Sequence, residues 1–511
     1  MPAQSYGHIY LGVDYSIVPH ELPAIALADS RNIVPNETGL PTGRGGSVKL
    51  NSTSLASRIT SFHEFRSGST RIQLCSYGTK IAEYSTGTGD FIDRNTGLTS
   101  NKMVQWVNFA GKAICVNEGN NVPQYYQNAT TYGNLAGSPP AGNSIAEWSN
   151  RIWFNGDSTN VALLTGCALN DPTNYSGGGL ATSSVSQTIG DSKDGITGGI
   201  GFFDIYLIGK LNNLYKVTGD PTTDATTLRI EPLYSKSTDN IGFTSPWALT
   251  QVGNDLIFLD GFDIKRLSGI QEYGDVETTS IIPHVKEYLA EICDKNYLKY
   301  TQFFHYKKEN QIWVTMPTSA TEYFVFVLDY TFKEATGKYA FYPMYNLSIA
   351  CFGGVENGQL IDIYYGDTTG YVHQLDVGND DNGVAIERYF TTVFSGSDLE
   401  NRISGMQEYR KQFGNSETFI KPEQATLNMI PYYAVDLVDS AQVRTSANYT
   451  AMASETVSNW AGTGVKRKRV GLIGINGYTL AVKWRHNTVA QNFTFYPSVL
   501  HYQWKTKNLI I

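Results

Sequence analysis

Four consecutive cations are the strongest chemical feature of the sequence. They lie between two valines and are Lys466, Arg467, Lys468 and Arg469. In a chain with a formal net charge of −8, such a run marks a localised patch that can dock an acidic protein surface or phosphate groups. The alternative is a solvated strand or turn with no partner. A nuclear localisation signal fits the four letters but not the rest of the chain.

An acidic segment with the sequence DVGNDDNGVAIE contains Asp376, Asp380, Asp381 and Glu387. Acidic loops can bind calcium, but the EF-hand loop needs an oxygen ligand at its third position and glycine at its sixth. Gly378 takes the third position here, and Asp381 takes the sixth. The sequence therefore argues against calcium and favours a solvated linker.

No other spacing is typical of a catalytic, cofactor or metal site. The eight histidines, including His8, His63 and His305, are scattered, and no H-E-x-x-H, G-x-S-x-G, Walker or dinucleotide motif is present. The glycine-rich stretch TGGIGFF at 197–203 fits a strand entry with a glycine bend better than a phosphate loop. We therefore predict no enzyme activity, no catalytic residue, no metal and no cofactor.

Length and composition favour a large all-β protein. The chain has 511 residues, which exceeds an ordinary single core, and is rich in aromatic residues (13%) and glycine (49) but poor in charged residues (17%). The N-terminus lacks the features of a signal peptide, and no window is as apolar as a membrane span, so we expect folding in a cytoplasm. Five widely spaced cysteines predict buried free thiols from a reducing compartment: Cys75, Cys115, Cys167, Cys293 and Cys351.

One pattern recurs along the chain, as in WALTQVGNDLIFLDGFDIKRLSG: a strand, a tight polar turn, a run apolar on both faces, a second turn and another strand. Propeller blades repeat about every 40 to 50 residues, and stacked blades cover both faces of each sheet. We therefore predict a β-propeller of about seven blades, with a pair of β-sandwiches as the alternative. The first turns are marked, 39 to 56 residues apart, by Gly68, Gly111, Asn150, Asp204, Asn254, Asn310 and Asn357.

Two segments interrupt the repeat. Ile282, Val285, Leu289 and Ile292 recur at helical spacing after Pro283 and predict an inserted amphipathic helix over about 281–300. The spacing of strands and turns changes again at about 385, and strands such as TLAVKWRHN predict a β-sandwich from there onward. The stretch 397–415 is interpreted as a short helix or a long loop. The expected domains are an N-terminal arm with the first strands of a ring platform (1–54), a β-propeller (55–384) and a C-terminal β-sandwich (385–511).

Four phrases resemble a known family, the tail hub (nozzle) proteins of short-tailed bacteriophages. ADSRNIVPNETGLPTGRGGSVKL resembles the opening of these proteins, and GNDLIFLDGFDIKRLSG followed by IIPHVKEYLAEI looks like their penultimate blades. GYVHQLDVGNDDNGVAIE is similar to their propeller-to-sandwich junction. The stretch KRKRVGLIGINGYTLAVKWRHNTVAQNFTFYPSVLHYQWK looks like their closing β-domain. The resemblance extends over nearly the whole chain.

The resemblance implies a structural virion protein that is assembled in the host bacterial cytoplasm. Six copies would form a ring that extends the DNA channel below the portal and its adaptor, retains the packaged genome and conducts it during ejection. The implied partners are other copies of the chain, the portal-adaptor proteins, tail fibre, spike or needle proteins, and double-stranded DNA in the lumen. Residues 466–469 would dock an adaptor or a neighbouring subunit. Net acidity would line the lumen so that DNA slides, since cationic walls gain affinity by releasing counterions.

A function from another class also fits the composition. Exposed tyrosine and tryptophan side chains stack on sugars, so the chain could be a carbohydrate-binding or carbohydrate-active propeller, that is, a lectin or a glycosidase. A glycosidase needs two carboxylates about 5 to 10 Å apart in a cleft, and sequence does not give that separation. A cytoplasmic interaction scaffold is a third reading. Oligomeric state distinguishes the tail hub from the carbohydrate-binding or carbohydrate-active propeller, because a hub predicts a closed six-fold ring.

Overall fold

The computed structural model describes residues 3–176, 183–219, 228–235, 240–270, 275–394, 409–424, 427–452 and 464–507. Strands dominate these residues, which confirms the predicted all-β class. The chain begins with five short strands: β1 (Ala3–Tyr6), β2 (Asp29–Arg31), β3 (Ile33–Pro35), β4 (Pro41–Gly43) and β5 (Ser47–Lys49).

From residue 59 to residue 375, the chain forms four-stranded antiparallel units in which consecutive strands are neighbours. The strands of the first three units are β6 (Ile59–Ser67), β7 (Thr70–Tyr77), β8 (Lys80–Ser85) and β9 (Asp90–Thr96); β10 (Gln105–Phe109), β11 (Lys112–Val116), β12 (Gln124–Asn128) and β13 (Thr131–Asn134); and β14 (Gly142–Trp148), β15 (Arg151–Asp157), β16 (Leu163–Gly166) and β17 (Val185–Thr188).

The next eight strands form one sheet made of two such units, joined where the last strands of the two units pair in parallel. They are β18 (Ile196–Phe202), β19 (Ile205–Lys210), β20 (Leu214–Thr218), β21 (Arg229–Ser235), β22 (Leu249–Val252), β23 (Asp255–Asp260), β24 (Asp263–Ile270) and β25 (Asp275–Ser280). The glycine-rich stretch lies in β18, as predicted, and a Cβ on Gly199 would come within 2.4 Å of the Tyr206 hydroxyl oxygen.

Two further units follow. The first contains β26 (Gln302–Tyr306), β27 (Gln311–Pro317), β28 (Tyr323–Asp329) and β29 (Ala340–Met344). The second contains β30 (Ile349–Asn357), β31 (Leu360–Asp367) and β32 (Val372–Leu375), and its fourth strand is β5 from the start of the chain.

The last of these units packs against the first. Phe62 of β6 stacks on Tyr364 of β31 with ring centroids 5.3 Å apart, and a Cβ on Gly353 would meet Phe62 at 2.5 Å. Arg66 bridges the same two units, with Glu64 at 2.6 Å and Glu356 at 3.1 Å. Successive sheets with this contact between the last and the first form a closed β-propeller.

The predicted turn markers all lie at the turn between the first and second strands of a unit. Several of these turns need a left-handed backbone, which asparagine and glycine adopt most easily. Asn150 has φ +57° and Gly253 has φ +60°. The turn chemistry therefore identified the repeat correctly.

The predicted helix over 281–300 is wrong in extent. The helix α1 covers only Lys286–Ile292, and a single 3-10 turn follows at Leu298–Tyr300. Leu289 is buried as its spacing required. The helix stops because the Asp294 carboxylate accepts hydrogen bonds from the backbone and side-chain amides of Asn296, a local turn that competes with helical bonding. A second short helix, α2, covers Lys333–Thr336.

After residue 385 the strands belong to two larger sheets. They are β33 (Arg388–Phe394), β34 (Tyr409–Pro422), β35 (Met429–Val435), β36 (Thr450–Ala451), β37 (Lys466–Gly471), β38 (Asn476–Gly477), β39 (Leu480–His486) and β40 (Phe493–Lys507), with α3 (Ser440–Arg444) between β35 and β36. Residues 409–415 are therefore strand, which corrects the helix-or-loop interpretation for that part of 397–415. The remainder, 397–408, lies outside the described residues.

The N-terminal strands complete these sheets. A seven-stranded sheet has the order β3-β4-β40-β34-β37, with β1 on β40 and β38 on β34, and a five-stranded sheet has the order β2-β33-β39-β35-β36. The sheets meet where Phe495 packs on Trp484 and Phe390, at centroid distances of 5.4 and 4.8 Å. The first 54 residues are thus divided among three sheets, since β5 belongs to the last propeller unit.

Candidate functional site

The four consecutive cations lie on β37, which ends the path of the seven-stranded sheet. Within the described part of the chain, β37 pairs with β34 along one side only, from Asn415 opposite Gly471 to Ile420 opposite Lys466. Side chains alternate along a strand, so Arg467 and Arg469 share one face. Both arginines are exposed, whereas Lys466 and Lys468 are half-buried.

Nearby polar groups only partly occupy the two exposed guanidinium groups. Arg467 pairs with Glu417 on the adjacent strand at 2.6 Å, and Arg469 lies beside the Asn415 side-chain amide. The Arg467 side chain is 61% exposed, and an ion pair this open to water contributes little to stability. We call residues 466–471 the basic edge strand. It presents cations next to backbone groups that a further strand could pair with.

The acidic segment is not the solvated linker that the sequence favoured. Asp381 accepts two hydrogen bonds from Arg44, at 3.0 and 2.6 Å, and a third from Ser47 Oγ at 3.0 Å. The Arg44 side chain is 2% exposed, so this bidentate ion pair is almost fully withdrawn from water. Arg44 lies 337 residues from Asp381 in the chain, which is why local sequence could not reveal the pair.

Two more acids of this segment are paired with cations. Asp376 accepts a hydrogen bond from the Tyr306 hydroxyl at 2.9 Å and lies 3.6 Å from Lys308 Nζ. Glu387 pairs with Arg31 and Arg485. In the described residues, no group of three or more His, Cys, Asp or Glu side chains is arranged to hold a metal. The segment therefore has a visible structural role, since three of its four acids pair with cations from other parts of the chain.

A second buried arginine, Arg388, completes this junction. It donates to the backbone carbonyls of Gln491, Arg44 and Asn379 at 2.7, 3.0 and 3.1 Å. Burial and the neighbouring Arg44 charge lower the pKa of Arg388 to about 10. Sequence analysis missed this residue, although a charged side chain within the strand-like stretch VAIERYFTTVF was a possible signal. The two arginines join β4, the acidic segment and the C-terminal strands.

The histidines form isolated contacts. His63 lies 3.0 Å from the Asn108 side-chain oxygen and stacks on Trp106, while His305 lies 2.8 Å from the Tyr330 hydroxyl. His8 stacks on a neighbouring tyrosine. The sequence did not single out His373, whose Nε2 lies 3.1 Å from Asp367.

The environment of the Asp367 carboxylate is strongly polar. Burial would raise the pKa of Asp367, but hydrogen bonds from His373, from the Tyr371 backbone and from Thr369 lower it to about 2. Among the described residues, no nucleophile lies at hydrogen-bond distance from His373. The geometry is that of a structural hydrogen-bonded pair.

All five cysteines are buried and free, as predicted. Burial raises the pKa of Cys115, Cys293 and Cys351 to about 12 and that of Cys167 to about 11. The thiols are therefore protonated and poorly reactive at neutral pH. Among the helices of the described residues, none is long and apolar enough to cross a membrane.

No family model matches the chain, and no curated relative matches it. Solved structures resemble it only distantly. They include the extracellular domain of a hybrid two-component system from B. thetaiotaomicron (12% identity, TM-score 0.39, 64% of this chain and 39% of that one), the AfRom2 CNH domain (9%, 0.40, 65% and 100%) and the Cps50 (Swd1) β-propeller domain of Myceliophteria thermophila (9%, 0.41, 66% and 100%). The chain thus spans about two fifths of the first of these. At such scores the resemblances carry no inference about activity or partners.

Proposed function

We propose that the chain is a tail hub, or nozzle, protein of a short-tailed bacteriophage. In this role six copies form a ring below the portal-adaptor, extend the DNA channel, retain the packaged genome and conduct it during ejection. The virion is the site of action, and assembly takes place in the bacterial cytoplasm. The contacts of the ring are with other copies, with the adaptor, and with fibres, spikes or a needle below.

One observation carries the proposal. Two of the phrases that resemble the hub family are far apart in sequence, yet they meet in one buried ion pair. Arg44 belongs to the phrase that ends in GRGG, and Asp381 belongs to the phrase GNDDNG. Arg31 and Glu387, from the same two phrases, pair at 2.8 Å. Phrases that meet in this way support a common architecture in which the N-terminal strands fasten the propeller to the C-terminal sheets.

The proposed architecture has two parts. The four-stranded units between residues 59 and 375 make seven blades, and β5 closes the ring as the outer strand of the last blade. The two C-terminal sheets form a β-sandwich around Trp484 and Phe495. Closed β-structures of this kind leave few free strand edges, which limits unwanted strand pairing between the copies in a ring.

The basic edge strand provides the docking surface in this proposal. Its exposed guanidinium groups suit an acidic segment of the adaptor or of a neighbouring subunit, and its open side suits strand addition. The chain as a whole is acidic, with a net charge of −8 that already includes these four cations, and acids that line the lumen would repel DNA and let it slide. In this proposal, the positive charge of the basic edge strand and the negative charge of the lumen therefore act at different surfaces.

Electron microscopy of the protein, alone and mixed with the candidate portal-adaptor complex, tests the proposal. We expect a six-fold ring with a channel of roughly 20 Å or more, as the groove dimensions of B-DNA require. A monomer or trimer that ignores the adaptor would refute the hub function and direct the next experiments to glycan binding and hydrolysis.

A charge-reversal variant tests the docking surface separately. Replacing 466–469 by four glutamates should abolish adaptor or neighbour binding, while the isolated subunit remains folded. The matched control reverses exposed lysines elsewhere, for example Lys295→Glu. Unchanged ring assembly in the first variant would remove the basic edge strand from the proposal without affecting the ring itself.

A further inference from the structure

The outer face of the five-stranded sheet carries a cavity of about 230 Å³. Lys483 lies in its wall on the central strand β39, opposite Thr391 of β33 on one side and Tyr432 of β35 on the other. We call it the Lys483 cavity. It is lined by Glu387, Tyr389, Tyr432, Ser446, Tyr449, Lys483 and Arg485.

Lys483 is a largely buried cation that lies between aromatic rings. The residue is only 4% exposed, and its ammonium lies over the rings of Tyr389 and Tyr449, 4.2 and 4.4 Å from their centroids. Cation–π contacts offset part of the cost of burial. An ammonium also has three N–H donors, and none of the described residues accepts a hydrogen bond from them. Because Lys483 lines the cavity, a ligand there could supply an acceptor.

The nearby carboxylates are engaged elsewhere. Glu387 is held between Arg31 and Arg485. Asp29 accepts hydrogen bonds at 2.9 Å from the hydroxyls of Tyr15 and Tyr389. Neither acid lies within ion-pair distance of Lys483.

The charge balance of this group favours an anion. Three cations, Lys483, Arg31 and Arg485, face two acids, Asp29 and Glu387, which leaves one positive charge in excess. A ligand with a single negative charge would neutralise it. A carboxylate has that charge at neutral pH and accepts hydrogen bonds at both oxygens.

Two hydroxyl groups beside the lysine are also incompletely bonded. Tyr449 Oη and Thr391 Oγ1 are both buried, and neither has a hydrogen-bond partner within the geometric limits among the described residues. A polar ligand could bond to both hydroxyls. The cavity is several times larger than the roughly 30 Å³ that one water occupies. Access from solvent is available, since Ser446 is exposed and the Arg485 side chain is 41% exposed.

We propose that the Lys483 cavity binds a small carboxylate ligand. The carboxylate accepts hydrogen bonds from Lys483 Nζ, and the body of the ligand packs against the tyrosine rings, which suit flat or sugar-like surfaces. This site is independent of the hub function, because it lies on a different sheet from the basic edge strand.

Isothermal titration of the full chain tests the proposal with benzoate, glucuronate, inorganic phosphate and the neutral analogues benzamide and glucose. At least one carboxylate should bind with one-to-one stoichiometry, at least tenfold more tightly than its neutral analogue. The two carboxylates separate an aromatic from a sugar ligand. Absence of carboxylate binding at millimolar concentration would overturn the proposal, as would binding of phosphate alone.

Variants locate the site. Lys483→Met keeps the apolar stem and removes the charge, so carboxylate affinity should fall at least tenfold, while the exposed-lysine control Lys295→Met keeps it. Tyr449→Leu keeps the charge and removes one wall of the cavity, and it too should weaken binding, which provides a test if the Met variant does not fold. Unchanged affinity in a folded Lys483→Met variant would refute the assignment.

Discussion

Removing the acid that neutralises Arg44 should be among the most destabilising single changes in the chain. In Asp381→Ala, the Arg44 guanidinium stays buried without its counter-ion. Arg388 makes the loss worse, because its own cationic side chain donates to the Arg44 carbonyl at 3.0 Å. Two like charges would then share a junction from which water is largely excluded.

The expected magnitude follows from the geometry. Breaking a buried ion pair by removing one partner typically costs about 3–5 kcal/mol, and Arg44 keeps only its neutral acceptors, Asn32 Oδ1 at 3.0 Å and Gly45 O at 2.9 Å. The Asp381 side chain is 17% exposed, so some water reaches the site and the lower part of that range applies. We expect a loss of about 3 kcal/mol in the free energy of unfolding.

Urea denaturation followed by tryptophan fluorescence measures this change. Asp380→Asn is the matched control, since Asp380 Oδ1 accepts only a local hydrogen bond from the Gly383 backbone amide, and it should shift stability by a few tenths of a kcal/mol. In the double variant Arg44→Met with Asp381→Ala, the stranded charge is gone and much of the loss should be recovered. Losses that simply add within about 0.5 kcal/mol would refute the reasoning.

Three further predictions follow from the same structure. Reversal of the four charges at 466–469 should leave the free energy of unfolding within about 1 kcal/mol of the wild-type value, because Arg467–Glu417 is an exposed ion pair, and urea denaturation measures this. The five buried thiols should react with a thiol reagent only after unfolding. The absorbance of the chromophore that the reagent releases, compared with and without urea, measures this. Burial lowers the pKa of His284 to about 4, so the unfolded state binds an extra proton between about pH 6.5 and 4 and stability falls as pH drops through that range; His284→Leu should flatten this decline in a pH series of thermal melts.

Local patterns predicted the repeat but not its attachments. Turn residues such as Asn150 and Gly253 have backbone requirements that a sequence displays directly, so the hairpins could be located. The prediction of a helix over 281–300 was wrong in extent, because the spacing of apolar residues indicates which side chains are buried but not how long the backbone stays helical. Leu289 is buried as expected, but the turn at Asp294 ends the helix.

The candidate sites show the same difference between local patterns, which a sequence displays, and long-range contacts, which it does not. The basic run is contiguous, so sequence alone identified it, although its position on an edge strand required the pairing with β34. The Arg44 partner of Asp381 lies 337 positions away, and the rings beside Lys483 come from other segments of the C-terminal part of the chain. Arg388 and Lys483 are single charges in strand-like stretches, and only tertiary packing distinguishes them from surface residues. Long-range ion pairs have no periodic signature, which is why the acidic segment was misread as a linker.

The pairing pattern also gives the basic edge strand a mechanical connection to the propeller. A load applied at β37 passes to β34 through their ladder and from β34 to β40, the longest strand of the sheet. β40 pairs with β4 at Thr42, two residues before Arg44, and Arg44 holds Asp381, which Ser47 of β5 also contacts. Because β5 is the outer strand of the last propeller unit, the path from the basic edge strand to that unit consists of strand ladders, a short stretch of chain, a buried ion pair and one hydrogen bond. Asp381→Ala should therefore weaken this connection without altering the surface that docks: in the hub proposal, the variant would still bind its adaptor but would release packaged DNA at a lower temperature than the wild type, a difference that heating of assembled particles with nuclease present would measure.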